Sequence, residues 1–147
     1  MSSENAQEFR RAALGLLARA PAARLAELLD ALPAHELLRA PEIGTVMLRG
    51  RAGGTGAAFN LGEMTVTRAS IRLDSGAVGH GYVQGRDRTH ALRAALIDAM
   101  GQDDPAGVEQ RILAPLRAEE AARRAETARD AAKTRVEFFT LVRGEDE

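Results

Sequence analysis

The sequence predicts an α+β domain, in which an N-terminal helical hairpin is followed by a small antiparallel sheet, two further helical regions and a last strand that joins the sheet. Apolar residues recur with helical spacing up to about residue 32 and again over residues 88–100. Between these regions, after Pro41, runs rich in Val, Thr and Ile are separated by glycine-containing turns, a pattern typical of strands joined as hairpins. The 147 residues are expected to form a single domain, residues 1–147.

The N-terminal region predicts a helical hairpin. Pro21 suits the first turn of a second helix, where a backbone N–H would have no helical partner, and Pro33 ends that helix. Each helix has one apolar face, formed by Phe9, Ala13, Leu16 and Leu17 in the first and by Leu25, Leu28, Leu29 and Leu32 in the second.

Strands are predicted near residues 45–50, 61–73, 77–85 and 135–142. The first two flank a glycine-rich loop, and a tight turn at Asp74–Gly76 joins the second strand to the third. The fourth is the aromatic-bearing segment RVEFFTLV, which is expected to dock on the edge of the sheet.

The long second strand changes its apolar parity. Met64 and Val66 are apolar at even positions, whereas Ile71 and Leu73 are apolar at odd positions. Because side chains alternate between faces, the buried face must switch, and a β-bulge or sharp twist is expected near Arg68–Ser70. Such a bulge would re-aim Arg68.

Two further helical regions are predicted, over residues 88–100 and 106–133. Asp87 or Thr89 can cap the first, and Pro115 is expected to kink or restart the second. Residues 117–133 contain no large apolar side chain. This segment is either a solvated arm or a helix that packs its alanine face against another subunit.

The composition limits the function. The formal net charge is −1, and the strands are expected to lack the exposed aromatic residues on which bases stack, so binding to nucleic acid is disfavoured. No cysteine is present, which excludes thiolate chemistry and thiolate metal sites.

The first residues resemble neither a signal peptide nor a membrane anchor, and a cytoplasmic protein is expected. Since aromatic residues are only 3% of the chain, the core must rely on small aliphatic side chains that partner subunits could complete.

The segment RGRAGGTGAAFNLGEMTVTR, residues 49–68, combines glycines with arginines. It fails the P-loop pattern because Lys133 is the only lysine, and it fails the dinucleotide fingerprint because position 59 is Phe. Glycine backbone N–H groups beside Arg49, Arg51 and Arg68 could still contact an anion. A hairpin loop with solvated arginines and a site shared with another chain stay open as alternatives.

The remaining candidates for chemistry are few. The histidines are too dispersed to indicate a metal site. The glycines beside His80 would let a ligand approach it, although a surface histidine on a strand is the simpler interpretation. His90 is expected to take part in hydrogen bonds at the start of a helix with Asp87. Glu63 either pairs with an arginine or acts as a general base or a metal–phosphate ligand.

Three ordered motifs carry a resemblance to a known family. The segments LRAPEIGTVMLRGRAGGTGAAFNLGEMTVTRASIRL, VGHGYVQGRDRTHALRAALIDA and RVEFFTLVRGED closely resemble the PhnG family, subunits of the bacterial carbon–phosphorus lyase system. The similarity covers residues from about 35 to 101 and 132 to 146. Family members often have cysteine where this chain has Ala69, so the resemblance does not support thiol chemistry at that position.

The resemblance implies an accessory role in phosphonate activation. It implies a subunit of ribose 1-methylphosphonate 5-triphosphate synthase, a transferase in which methylphosphonate displaces adenine from ATP, with catalysis chiefly in PhnI and no activity in this chain alone. The implied partners are PhnH, PhnI and PhnJ, with PhnK and PhnL as associates. ATP is then a substrate of the complex, and the iron–sulfur and SAM chemistry belongs to PhnJ.

The resemblance assigns no catalytic residue, cofactor or metal to this chain, and the isolated protein is expected to be able to self-associate. Alternatively, the chain is a scaffold or assembly subunit that makes no substrate contact. The residues that are candidates for phosphate binding or for the PhnI interface are Arg49, Arg51, Gly53, Gly54, Asn60, Glu63, Arg68, Arg72, His80 and Arg86.

Overall fold

Two helices begin the chain in the computed structural model, which describes residues 2–144; Met1 and residues 145–147, the ends of the predicted single domain, lie outside it. Helix α1 spans Ser3–Arg19 and helix α2 spans Ala22–Leu28. The Ser2 hydroxyl accepts a hydrogen bond from the Asn5 N–H and caps α1. Both predicted helices are confirmed, and both contribute leucines to one core.

Three antiparallel strands follow, in the spatial order β1-β2-β3. Strand β1 spans His35–Arg51, β2 spans Ala58–Leu73 and β3 spans Val78–Gln84. Because β3 pairs only with residues 66–72 of β2, the far part of the β1–β2 hairpin extends beyond the sheet. We call this two-stranded extension, residues 45–65, the ribbon.

The first strand begins about ten residues earlier than predicted. His35 pairs with Leu73, and the pairing continues along the whole of β2. The strands were expected only after Pro41, but β1 lies at the edge of the sheet, where proline is tolerated because no ladder hydrogen bond is lost. Non-local pairing with β2 therefore determines where this strand starts.

The predicted bulge lies in the expected place but in the neighbouring strand. The pairing of β2 with β3 is regular, and the burial of β2 switches at Val66 and Thr67, which are both buried. Opposite residues 68–71 of β2, strand β1 shifts register twice, between Leu37 and Arg39 and between Arg39 and Glu42. The extra residues therefore belong to β1.

Helices cover one face of the sheet. Helix α3 spans Arg88–Asp103, and the carboxylate of its N-cap residue Asp87 accepts the His90 N–H at 2.9 Å. The core between the sheet and the helices is built from small and aliphatic side chains, among them Ile71, Val83, Ala91, Ala95 and Leu96.

The C-terminal region is one extended helical segment. A short helix α4, Pro105–Val108, runs through a π-helical turn, Glu109–Leu113, into helix α5, Ala114–Gly144. The predicted interruption near Pro115 is this π turn, since proline lacks the N–H that regular helix pairing requires. Residues 121–141 of α5 are all exposed, and we call them the C-terminal arm.

The predicted fourth strand, residues 135–142, is wrong because this segment is helical. From Leu116 to Arg143 the chain contains no glycine or proline, so a helix that begins in the alanine-rich part meets no breaker. The Thr140 hydroxyl donates to the carbonyl oxygen of Val136, four residues earlier, as helix geometry allows.

Candidate functional site

The structure distributes the ten predicted site residues over three places. Arg86 is exposed in the turn between β3 and α3. The sheet face opposite the helices, which we call the outer face, carries Arg68, Arg72 and His80. The ribbon carries Arg49, Arg51, Gly53, Gly54, Asn60 and Glu63.

The glycines at the ribbon tip serve the turn. Gly53 and Gly54 have φ angles of 62° and 77°, a region that favours glycine. A Cβ atom added at either would meet no other atom within 4 Å. The Gly56 N–H donates to the carbonyl oxygen of Ala52 at 3.0 Å and closes the loop. Gly53 and Gly54 are thus explained by backbone conformation, whereas a Cβ atom at Gly56 would come within 2.9 Å of the Ala52 carbonyl oxygen.

The polar residues of the ribbon share one of its two faces. Arg49 pairs with Asn60 and Glu63 pairs with Met47, and directly paired residues of antiparallel strands point to the same side. Glu63 and Arg68 differ in parity and therefore face opposite sides of β2. Within residues 2–144, Glu63 forms no ion pair. The predicted pairing of Glu63 with an arginine is therefore not seen in the described part of the chain. Its role as a general base or a metal–phosphate ligand stays a prediction.

One face of the ribbon is apolar, which the sequence reasoning missed. Leu61 lies over Gly50, where an added Cβ atom would come within 2.8 Å of the leucine Cδ1. The side chains on this face are partly or largely exposed, and Leu61 reaches 63% exposure. The expectation that the strands lack exposed aromatic residues is wrong, because Phe59 on this face and Tyr82 on β3 are 46% and 47% exposed. Cross-strand pairing and the Leu61 contact place on this face Val46, Leu48, Phe59, Leu61 and Met64.

The outer face brings polar residues of three strands together. Ser70 Oγ and His80 Nδ1 lie 2.8 Å apart across β2 and β3. Glu42 Oε1 accepts hydrogen bonds from Arg39 Nη1 at 2.6 Å and from Arg68 Nη2 at 3.0 Å. Arg72 Nη1 donates to Glu36 Oε2 at 3.3 Å. The alternation of side chains along β2 and β3 places their polar residues on one face. The residues of β1 could be added to this group only if the early start and the register of β1 were known.

The glycines around His80 face the core. A Cβ atom at Gly79 would overlap the backbone of Ala95, and one at Gly81 would overlap the backbone of Ala91. They permit the close approach of α3 rather than that of a ligand. The His80 side chain is exposed on the opposite, outer face.

A buried carboxylate on α3 links three elements. Asp98 accepts hydrogen bonds from Arg10 Nε at 2.9 Å and Arg10 Nη2 at 2.8 Å, and from the His80 N–H at 2.9 Å. The Asp98 side chain is 4% exposed. Its hydrogen bonds raise the pKa of Arg10. The sequence could have indicated that this carboxylate is buried, because Asp98 lies four residues after Ala94 and three after Ala95, on the buried face of α3.

The Arg10–Asp98 pair borders an apolar cleft of about 250 Å³ between α1, α3 and α4. Phe9, Val108 and Leu113 are among its lining residues. His90 is buried, and its Nε2 lies 2.8 Å from the carbonyl oxygen of Leu17. The predicted hydrogen bonding at the start of α3 is therefore confirmed, with a second bond to α1.

Within residues 2–144, no group of three or more His, Asp or Glu side chains is arranged to hold a metal ion. In the same range, no helix has the length and apolar character needed to cross a membrane.

Comparison with known proteins supports the resemblance. The sequence pattern of the family described as Phosphonate metabolism protein PhnG matches residues 8–144. The chain belongs to the PhnG family. It is similar to the alpha-D-ribose 1-methylphosphonate 5-triphosphate synthase subunit PhnG of Rhizobium meliloti (strain 1021), with 46% identity over 145 residues that cover 93% of this chain and 90% of the relative.

The PhnG match includes every candidate site residue and both extensions from the core, the ribbon and the C-terminal arm. Ala69 is 1% exposed and pairs with Gly81 beneath α3. A side chain there belongs to the core and is inaccessible from the outer face.

Proposed function

We propose that this chain is an accessory subunit of a ribose 1-methylphosphonate 5-triphosphate synthase. In this proposal the complex displaces adenine from ATP by methylphosphonate, the catalytic residues lie chiefly in PhnI, and this chain has no activity alone. The similarity to the Rhizobium meliloti subunit supports the assignment, and membership of the PhnG family places it in phosphonate metabolism.

One structural observation carries the subunit role: large apolar side chains lie on extensions of the fold rather than in its core. Leu61 on the ribbon is 63% exposed, and Leu141 on the C-terminal arm is 72% exposed. Clustered exposed apolar residues are characteristic of protein interfaces. A two-stranded ribbon without further layers is also only marginally stable in water and gains from a partner.

The proposed partners are PhnI, PhnH and PhnJ, with PhnK and PhnL as associates. ATP is a substrate of this complex, and SAM and iron–sulfur chemistry is assigned to PhnJ, so no cofactor is assigned to this chain. The arginines of the ribbon and outer face are proposed to contact the triphosphate or PhnI, because a guanidinium group matches phosphate and carboxylate in charge and geometry.

A second candidate is a scaffold that makes no substrate contact. The separation of the predicted residues favours it. Arg51 pairs with Ala58, ten residues before Arg68 on β2, which corresponds to about 33 Å along an extended strand. A single triphosphate is too short to contact both Arg51 and Arg68. Either the arginines of the ribbon or those of the outer face contact it directly, but not both sets.

Reconstitution with the partner subunits separates the two candidates. The variants Arg49→Ala, Arg51→Ala and Arg68→Ala would be assembled with PhnI, PhnH, PhnJ and PhnL, and adenine release from ATP and methylphosphonate would be measured. Loss of a charge-assisted hydrogen bond to substrate is expected to lower the rate by about tenfold or more. Arg129→Ala, an exposed arginine of the C-terminal arm, provides the matched control.

Full rates in all three assembled variants would leave the scaffold as the function. This chain without PhnI is expected to release no adenine. Release at a rate comparable to that of the complex would contradict the assignment of catalysis to PhnI.

A further inference from the structure

Two bulges in β1 give the outer face its composition. Without them, Glu36, Arg39 and Glu42 could not share a face, because residues three apart in a regular strand point to opposite sides. The register shifts after Leu37 and after Arg39 each insert one extra residue. Glu36, Arg39 and Glu42 consequently lie opposite Arg72, Ser70 and Arg68, respectively. Bulges that re-aim side chains are common next to functional sites.

Ser70 is at the centre of the resulting arrangement. Arg39 is its partner on β1, and His80 is its partner on β3. Arg68 and Arg72 are its neighbours on the same face of β2, each about 7 Å away along the strand. We call this set, Arg39, Arg68, Ser70, Arg72 and His80, the Ser70 cluster. Its members come from all three strands of the sheet, which hold them in fixed register.

The cluster has more positive groups than its acidic neighbours neutralise. Three guanidinium groups share two carboxylates, and a single oxygen of Glu42 serves both Arg39 and Arg68. Within residues 2–144 each of these guanidinium groups makes one side-chain hydrogen bond. Arg10, by contrast, donates two side-chain hydrogen bonds, one to each carboxylate oxygen of Asp98. Most N–H donors of the three exposed arginines are therefore available to a ligand.

We propose that the Ser70 cluster binds a tetrahedral oxyanion, a phosphate or phosphonate group. The proposal deepens the function proposed above and rests on it for the choice of ligand. Guanidinium groups from two strands would contact the oxyanion from either side, and the Ser70 hydroxyl and the His80 ring would supply hydrogen bonds between them. Glu42 accepts hydrogen bonds from Arg39 and Arg68, and binding of the oxyanion would transfer both guanidinium groups from that carboxylate to the ligand.

The test is a titration of the full-length chain, monitored by the imidazole signals in NMR spectra. Inorganic phosphate and methylphosphonate are added in separate series, and acetate forms a third series that imitates a carboxylate from a partner protein. His80 is expected to shift saturably with phosphate or methylphosphonate, while His90 in the core serves as an internal reference. Comparison of the first two series identifies which tetrahedral group is preferred.

Variants connect the signal to the cluster. Arg68→Gln and Arg72→Gln are expected to weaken binding by about tenfold each, as loss of one charge-assisted contact predicts. Arg129→Gln on the C-terminal arm should leave the affinity unchanged. Arg68 and Arg72 are each about half exposed, so the variants are expected to fold, which their circular dichroism spectra would verify.

Three results would overturn the proposal: no saturable shift of His80, equal binding of acetate, or equal loss of affinity in Arg129→Gln. Adenine release by the complex tests the proposed function separately. If phosphate binds the cluster but Arg68→Gln leaves adenine release unchanged, the oxyanion site stands and the direct substrate contact is wrong.

Discussion

Gly79 and Gly81 determine how closely α3 approaches the sheet. Both alternate with outward-facing residues of β3, and a Cβ atom on either would overlap the backbone of α3. The facing residues of α3 are small, Ala91, Ala95 and Ala99, and all three are buried. A core with few aromatic residues is therefore compensated by direct packing of helix backbone on strand backbone.

Gly81→Ala is expected to destabilise the protein by about 3 kcal/mol, because the new methyl group can be accommodated only by shifting α3 or β3. The free energy of unfolding would be measured by urea titration. Gly44→Ala is the matched control on β1, since its Cβ atom would meet only the Arg68 side chain, at 3.9 Å. It should change stability by less than about 0.5 kcal/mol. Equal effects of the two variants would contradict the close approach of α3.

Residue patterns predicted the local features well and the non-local ones poorly. The Asp87 cap and the turn at Asp74–Gly76 depend on neighbouring residues, and both follow from the sequence. The role of the glycines beside His80 depends on α3, which is adjacent only in the folded chain. The Ser70 cluster likewise needs the register of β1, which two bulges shift.

At the scale of elements, α5 is attached to the domain by the buried Leu116 and by ion pairs at its start. Arg19 Nε donates to Glu120 Oε1 at 2.7 Å, and Arg24 Nε donates to Glu119 Oε1 at 2.9 Å. Beyond these residues the arm is exposed along its described length. The strand predicted at residues 135–142 is wrong. The aromatic residues of this segment favour a strand, but within the described part of the chain no sheet edge pairs with them, and the helix continues instead.

The Arg19–Glu120 pair makes stability depend on pH. The hydrogen bond from Arg19 lowers the pKa of Glu120 below its ordinary value of 4.5. A carboxyl group with a depressed folded-state pKa stabilises the protein above its unfolded-state pKa, and this contribution is lost as pH falls through the folded-state pKa. Glu120→Gln is therefore expected to cost less than about 1 kcal/mol near neutral pH, and the difference from the unmodified protein should vanish as the pH falls through the depressed folded-state pKa of Glu120.

Urea unfolding at several pH values measures this difference. Glu126→Gln is the matched control, because Glu126 lies on the exposed part of α5 and forms no ion pair within residues 2–144. A pH-independent effect of Glu120→Gln would show that the pair does not stabilise the attachment of α5 through charge.

The whole molecule consists of a small layered core with two extensions that expose apolar residues. The ribbon continues the sheet beyond the reach of β3, and the arm continues α5 beyond the ion pairs. Phe138 and Phe139 on the arm are 63% and 58% exposed, with their ring centroids 6.2 Å apart. The composition predicted a modest core, but it could not show where apolar surface remains, because that depends on which strands and helices have neighbours.

If both extensions are interfaces, assembly and folding should be separable. Leu61→Gln on the ribbon and Phe139→Gln on the arm remove exposed apolar side chains, so each should change the free energy of unfolding by less than about 0.5 kcal/mol. Each is expected to weaken association with the partner subunits by about tenfold or more, as loss of an apolar anchor at an interface does. Size-exclusion chromatography and titration calorimetry of the reconstituted complex would measure the association.

Glu126→Gln, a polar change on the same arm, should leave the association unaltered. A variant that lowers stability as much as association would instead place its side chain in the folding core, and unchanged association in either variant would remove that extension from the interface.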